Sequence, residues 1–87
     1  MEIVFLGKAS NDLKAWKKSG NLSVLKRIRK LIEDIQRSPF EGIGKPEPLK
    51  FELSGKWSRR ITEEDRIVYQ ILDGVLKVYS LKGHYEK

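Results

Sequence analysis

Glu47 is the carboxylate whose setting in this sequence best suits it for chemistry. It stands between Pro46 and Pro48. Because proline fixes its own φ and restricts the residue before it, we expect the backbone at Glu47 to be extended and stiff. The segment therefore predicts a site for an anionic substrate, with one carboxylate available for proton transfer. The cations that follow it along the chain are Lys50, Lys56, Arg59, Arg60 and Arg66.

Arg66 and His84 extend this set towards metal-independent cleavage of RNA by its own 2′-OH. In that reaction a base removes the 2′-OH proton, cations stabilise the phosphorane, and an acid protonates the departing 5′-oxygen. Acid–base groups contribute about 10²–10⁴-fold, and preorganised cations add about 10²–10³-fold per group. One histidine, no cysteine and no acidic cluster argue against a metal site, and we expect no cofactor.

Each of these residues also has an ordinary structural interpretation. Glu47 could be a polar loop residue, and Arg66 could pair with Glu63 or Asp65. His84 could belong to a frayed C-terminal tail. Taken singly, periodicity and charge favour these interpretations. The chemistry therefore depends on whether the fold brings the distant residues together.

Composition predicts one small intracellular domain over residues 1–87. A chain of this length buries only about 60–65% of its unfolded surface, so we expect one small core. The absence of cysteine favours a cytoplasmic protein. The apolar run at residues 1–6 is too short for a signal peptide or a membrane span. A net charge of +6 favours RNA, DNA or an acidic protein as partner, although a basic surface without a ligand fits equally well.

A short strand and a helix are predicted at the start of the chain. Residues 2–6 are rich in β-branched and aromatic side chains, which favours a strand. Ser10 and Asn11 are suitable caps for a helix over Asp12–Ser19. Gly20 is expected to end that helix, because glycine readily adopts the left-handed conformation.

A longer helix is predicted next, and it ends before Pro39. Asn21 or Ser23 starts it, and it runs to about Arg37. Its apolar residues recur at spacings of three and four, which places them on one face, and its basic residues lie on the other. The apolar residues are Leu25, Ile28, Leu31, Ile32 and Ile35.

The second half of the chain predicts strands. Residues 57–62, 66–72 and 75–81 each alternate or are rich in strand formers. Asp73-Gly74 is a strong signal for a type I′ hairpin turn between the last two. A further short strand is expected over residues 49–53.

Together these elements predict an α+β fold in the order β-α-α-β-β-β. Two antiparallel helices pack on one face of a twisted antiparallel sheet, with the apolar helix face against Ile67, Tyr69 and Ile71. The opposite sheet face carries Arg60 and Arg66 towards solvent. An exposed, cationic sheet face is suited to a single strand of RNA.

The sequence resembles the YoeB/Txe family of bacterial toxins, within the RelE-like group of messenger-RNA interferases. The resemblance rests on residues 39–50, 53–69 and 83–85, whereas residues 1–37 match only in pattern. It implies a RelE-like fold and a toxin of a type II toxin–antitoxin system. Such a toxin cuts messenger RNA in the A site of the 70S ribosome and is silenced by an acidic YefM-like antitoxin. A homodimer is left open.

The resemblance also implies roles for individual residues. Glu47 is the general base, His84 the general acid, and Arg66 stabilises the transition-state phosphate. Arg59 has the opposite strand parity to its neighbour and ranks lower as a substrate-binding residue. The residues expected to bind or orient the RNA are Lys50, Arg60, Tyr85 and, after them, Arg59.

Two alternatives from other functional classes stay open at this point. One is a ParE-like, gyrase-inhibiting module on a related scaffold, and the other is a basic nucleic-acid-binding domain without catalysis. Neither is expected to need the combination of Glu47, Arg66 and His84. A binding domain would keep its activity when Glu47 is removed, because losing a carboxylate from a polyanion site does not weaken binding.

Overall fold

The computed structural model describes residues 1–84, and Tyr85 lies outside them. The chain forms two helices and five strands, in the predicted α+β class. A 3₁₀ turn at Phe51–Leu53 lies between the second and third strands. The elements are β1 (Glu2–Phe5), α1 (Gly7–Ser19), α2 (Leu22–Arg37), β2 (Glu47–Pro48), β3 (Trp57–Arg60), β4 (Arg66–Leu72) and β5 (Val75–Ser80).

The strands form one sheet in the order β1-β5-β4-β3-β2. Strands β2 to β5 are antiparallel neighbours, whereas β1 pairs with β5 in parallel. The sheet is therefore mixed, and the expectation of a purely antiparallel sheet is corrected. Only strands joined by a short turn must run antiparallel, and β1 is separated from β5 by the rest of the fold.

Most of the predicted apolar face of α2 packs on the sheet, but Leu25 lies outside the core and Val24, which was not predicted, is buried in it. Leu31 and Ile35 have no exposed surface, and they share one core with Ile67 and Tyr69 on β4. Ile71 is partly buried at the edge of that core. The helices thus pack on the face of β4 that carries Ile67 and Tyr69. On the opposite face of the sheet Arg60 is exposed, whereas Ser58 and Val68 are buried.

Helix α1 starts earlier than its capping residues predict. It begins at Gly7 after Leu6, which makes no side-chain cap, so the predicted start at Asp12 is wrong. Asp12 instead accepts hydrogen bonds from the Leu81 N–H (3.0 Å) and the Lys8 ammonium (2.7 Å). A tertiary contact therefore takes the carboxylate that the sequence suggested for the first turn.

The other local signals around the helices and the hairpin are confirmed. Gly20 ends α1 in the left-handed conformation. The Asn21 side chain caps α2 by accepting from the Val24 N–H at 3.1 Å. Asp73 and Gly74 both have positive φ, as a type I′ turn requires.

The strand expected over residues 49–53 is wrong, because pairing with β3 stops at Leu49. The Leu49 N–H donates to the Lys56 carbonyl at 2.9 Å, and the Leu53 N–H then donates to the Lys50 carbonyl at 3.1 Å. The second bond closes the 3₁₀ turn. The residues that do pair as β2 are Glu47 and Pro48, so Glu47 itself is fixed in the sheet.

Gly44 provides a test of how tightly the proline-rich segment, residues 38–50, packs against the rest of the fold. Its φ is +81°, and a Cβ there would lie 2.8 Å from Leu31 Cδ2 and 3.2 Å from the Arg60 carbonyl oxygen. Gly20 has a similar φ of +70° with nothing within 4 Å. We expect Gly20→Ala to cost about 1–2 kcal/mol from backbone strain, and Gly44→Ala to cost a further ~1–3 kcal/mol from overpacking. Urea unfolding of both variants measures the difference, and equal losses would contradict the close packing.

Candidate functional site

A cleft of 270 Å³ opens on the face of the sheet opposite the helices, where β2, β3 and β4 meet. Glu47 lies opposite Ser58 in the register of β2 and β3. Arg60 lies opposite Arg66 in the register of β3 and β4. The sheet therefore brings one predicted carboxylate and two predicted cations to the same cleft. Its lining residues are Lys45, Pro46, Glu47, Ser58, Arg60 and Arg66.

The guanidinium of Arg66 is held in place by backbone carbonyls. Its Nη1 donates to the carbonyl oxygens of Thr62 (2.9 Å), Glu63 (3.0 Å) and Asp65 (3.2 Å). These contacts replace the carboxylate pairing that the sequence left open for Arg66. Because the acceptors are neutral, the guanidinium keeps its full positive charge towards the cleft.

His84 lines a neighbouring cleft of 200 Å³ together with Val68 and Ser80. The Arg66 N–H donates to the Gly83 carbonyl at 3.0 Å, so the residue before His84 runs beside the start of β4. The structure thus places His84 next to the Arg66 strand but outside the cleft that Glu47 lines. The other residues of this second cleft are Lys8, Leu53, Lys56 and Tyr79.

The two clefts are joined by one row of residues across the sheet. Glu47 pairs with Ser58, Ser58 with Val68, and Val68 with Ser80. Neighbouring strands lie about 4.8 Å apart, so the carboxylate and the imidazole approach the row from its opposite ends. The Arg60–Arg66 pair lies alongside this row.

Among the remaining predicted residues, Lys50 is exposed on the segment after β2 and does not line either cleft. Tyr85 lies outside the described residues. Two residues that line the Glu47 cleft, Lys45 and Ser58, were not predicted as site residues. Lys45 belongs to the same proline-rich segment as Glu47, a signal that could have identified it, whereas the position of Ser58 follows only from strand register.

Arg59 is buried, and the substrate-binding role expected for it is corrected. Its side chain has 0% exposure. All five N–H donors of its guanidinium are used within the fold, so none is left for RNA. The acceptors are the Tyr69 hydroxyl (3.1 Å), Asp34 Oδ2 (2.6 Å) and the carbonyl oxygens of Ser38 (2.6 Å), Glu41 (2.9 Å) and Ile43 (3.1 Å).

Asp34 and Tyr69 complete this buried network. Asp34 Oδ2 also accepts from the Ile43 N–H at 3.0 Å, and the Tyr69 hydroxyl donates to the Pro39 carbonyl at 2.7 Å. The hydrogen bond from Arg59 is the main cause that lowers the pKa of Asp34. Burial raises the pKa of Tyr69. The end of α2, the segment leading to Glu47, and strands β3 and β4 are therefore tied together at one point.

Over residues 1–84 there is no group of three or more histidine, cysteine, aspartate or glutamate side chains arranged to hold a metal ion. Neither helix in that range is long and apolar enough to cross a membrane.

Comparison with known proteins gives consistent matches along the chain. The family model for the YoeB-like toxin of bacterial type II toxin–antitoxin systems matches residues 5–85. A toxin YoeB of Synechocystis is 48% identical over the full length of both chains. A YoeB–YefM complex and a YoeB dimer, both from Staphylococcus aureus, superpose with TM-scores of 0.89. They are 42% and 41% identical and cover 98% of each chain.

The lowered pKa of Asp34 predicts a specific loss of stability in acid. Its folded pKa lies below the ordinary value of 3.8, so its contribution is complete above about pH 4 and is lost as the pH falls through the folded value. We expect Asp34→Asn to lower the free energy of unfolding at pH 7, and the gap to wild type to shrink below pH 4. Urea unfolding between pH 7 and pH 2 measures this, with the exposed Glu33→Gln as control. A gap that stays constant down to pH 2 would contradict the assignment.

Proposed function

Since the chain belongs to the YoeB-like toxins of bacterial type II toxin–antitoxin systems, we propose that it is a ribosome-dependent endoribonuclease. It cleaves messenger RNA in the A site of the 70S ribosome and so inhibits translation. The observation that carries the proposal is the cleft in which Glu47 lies beside the paired cations Arg60 and Arg66. Neither a gyrase inhibitor nor a passive nucleic-acid-binding domain requires a carboxylate among these cations.

Glu47 acts as the general base in this proposal, and His84 as the general acid. The Glu47 carboxylate takes the proton of the 2′-OH, and the 2′-oxygen then attacks the adjacent phosphorus. The P–O5′ bond breaks, and the His84 imidazolium gives its proton to the departing 5′-oxygen. The products are a 2′,3′-cyclic phosphate and a 5′-hydroxyl. Because both proton transfers use side chains, the reaction proceeds without a metal or a cofactor.

Arg66 stabilises the negative charge that develops on the phosphorane. Its Nη1 is already held by three carbonyls, so the guanidinium needs little rearrangement when the charge appears. Such preorganised donors are worth about 10²–10³-fold in rate. Arg60 lies opposite in the register and contributes a second positive charge.

The remaining cations bind and orient the RNA strand. Lys45 lines the cleft, and the exposed Lys50 follows Glu47 along the chain. We expect both to contact phosphates that flank the scissile one. Tyr85, beyond the described residues, remains a proposed RNA contact because it follows His84 directly. Arg59 has no part in binding.

The partner that silences the toxin is proposed to be an acidic, YefM-like antitoxin. The solved YoeB–YefM complex of Staphylococcus aureus shows that a relative binds YefM. In this chain an acidic segment would lie over the Arg60–Arg66 face and block the cleft. The solved YoeB dimer supports a homodimer of the free toxin. Action on ribosomes places the protein in the cytoplasm.

The proposal is tested by primer extension on a defined message bound to purified 70S ribosomes. We expect wild-type protein to produce new ends at the A-site codon, and Glu47→Gln and His84→Ala each to slow cleavage by about 10²-fold or more. The matched carboxylate control is Glu52→Gln, in the exposed 3₁₀ turn, which should cleave as wild type does. Circular dichroism confirms that each variant is folded.

Two outcomes would count against this function. If folded wild-type protein makes no cut, the gyrase-directed or purely binding alternatives gain support. If Glu47→Gln cleaves at the wild-type rate, another group must remove the 2′-OH proton.

A further inference from the structure

Gly83, the residue immediately before His84, is held through both of its backbone groups. Its N–H donates to Asp65 Oδ1 at 2.8 Å, and its carbonyl accepts from the Arg66 N–H at 3.0 Å. Its φ is +84°, in the left-handed region. The direction in which the chain enters His84 is therefore set by Asp65, the last residue of the turn before β4, and by Arg66, the first residue of β4.

The Asp65 carboxylate is itself fixed by the turn that joins β3 to β4. Oδ2 accepts from the Thr62 hydroxyl at 2.8 Å, and the Asp65 N–H donates back to that hydroxyl oxygen at 3.0 Å. The Asp65 carbonyl accepts from the Ile61 N–H at 2.9 Å and the Thr62 N–H at 3.2 Å. Asp65 is half-buried, and its N–H, its carbonyl and both of its carboxylate oxygens all make hydrogen bonds. Its Oδ1 is consequently presented to Gly83 from a rigid base.

The same turn also holds the Arg66 guanidinium. The carbonyls of Thr62, Glu63 and Asp65 are its acceptors. One short segment therefore fixes the proposed charge-stabilising cation and, through Gly83, the proposed general acid. Two hydrogen bonds set the relative placement of Arg66 and His84: the Gly83 N–H donates to Asp65, and the Arg66 N–H donates to the Gly83 carbonyl.

We infer that Asp65 is a positioning residue, which acts on the reaction by holding Gly83 so that His84 can protonate the 5′-oxygen. The inference rests on the proposed function. Removing the carboxylate leaves the Gly83 N–H without its acceptor and lets the segment before His84 shift. Since a displacement of about 1 Å can cost about 10²-fold in rate, the loss should fall on the proton-transfer step to the leaving group.

A substrate with sulfur in place of the scissile 5′-oxygen separates this role from a general structural one. When its P–S bond breaks, the sulfur leaves as a thiolate and needs no proton, because a thiol, with a pKa of about 8.5, is a far stronger acid than an alcohol. A variant that has lost only the placement of its general acid should therefore cleave the sulfur substrate normally. A variant whose whole cleft is disturbed should cleave both substrates slowly.

The experiment compares single-turnover cleavage of the oxygen and sulfur messages on 70S ribosomes. We expect Asp65→Ala to cleave the oxygen substrate about 10–100-fold more slowly and the sulfur substrate at close to the wild-type rate, as His84→Ala should. Asp65→Asn should retain most activity, because its amide oxygen can still accept from the Gly83 N–H. Glu64→Ala removes a charge from the same turn, at an exposed residue that contacts neither Gly83 nor the Arg66 guanidinium, and should match wild type.

The ratio of the two rates is measured on one preparation, so a partly unfolded variant does not alter it. Equal slowing of both substrates by Asp65→Ala, or no slowing of either, would overturn the inference. If wild-type protein cleaves the messages but Asp65→Ala keeps the wild-type ratio, only the positioning role falls. If wild-type protein cleaves neither message, the proposed function fails, and the inference fails with it.

Discussion

The buried guanidinium of Arg59 is the interaction on which the geometry of the cleft depends. A buried charge is costly unless it is paired and fully hydrogen-bonded, and here one carboxylate and four other oxygens satisfy all five donors. Three of the acceptors are backbone carbonyls between Ser38 and Ile43, in a segment without regular secondary structure. Arg59 acts there together with the hydrogen bonds from the Tyr69 hydroxyl to Pro39 and from the Ile43 N–H to Asp34, and these contacts determine the path of the segment towards Glu47.

Strand β3 contributes both to the buried Arg59 network and to the cleft, because its side chains alternate between the two faces of the sheet. Arg59 points into the core, and Arg60, the next residue, lies at the cleft. The Arg60 N–H also donates to the Gly44 carbonyl at 2.7 Å. The proline-rich segment is thus bound to β3 on both sides, which brings Glu47 into register with Ser58.

Features decided by local sequence were predictable, and features decided by distant contacts were not. The apolar stripe of α2, the Asn21 cap and the Asp73-Gly74 turn follow from neighbouring residues, and all three are confirmed. The start of α1 was missed because Leu6, the residue before the helix, makes no side-chain cap, whereas the expected caps Ser10 and Asn11 lie inside the helix. The exposure assumed for Arg59 had a contrary signal in its own strand: alternation placed it on the side of Trp57 and Ile61, which is the core side.

The two proposed acid–base groups are held by separate hydrogen-bond networks, which meet at the β3–β4 hairpin. Glu47 depends on the Arg59 network, and His84 depends on the turn at residues 62–65 through Gly83. Both networks end on the β3–β4 pair that carries Arg60 and Arg66. Cleavage of a phosphodiester by its own 2′-OH requires a base on one side of the phosphorus and an acid on the other. In the proposed mechanism, strand register fixes Glu47 opposite Ser58. The hydrogen bonds of Gly83 to Asp65 and Arg66 hold the segment that leads to His84 on the other side of the β3–β4 hairpin.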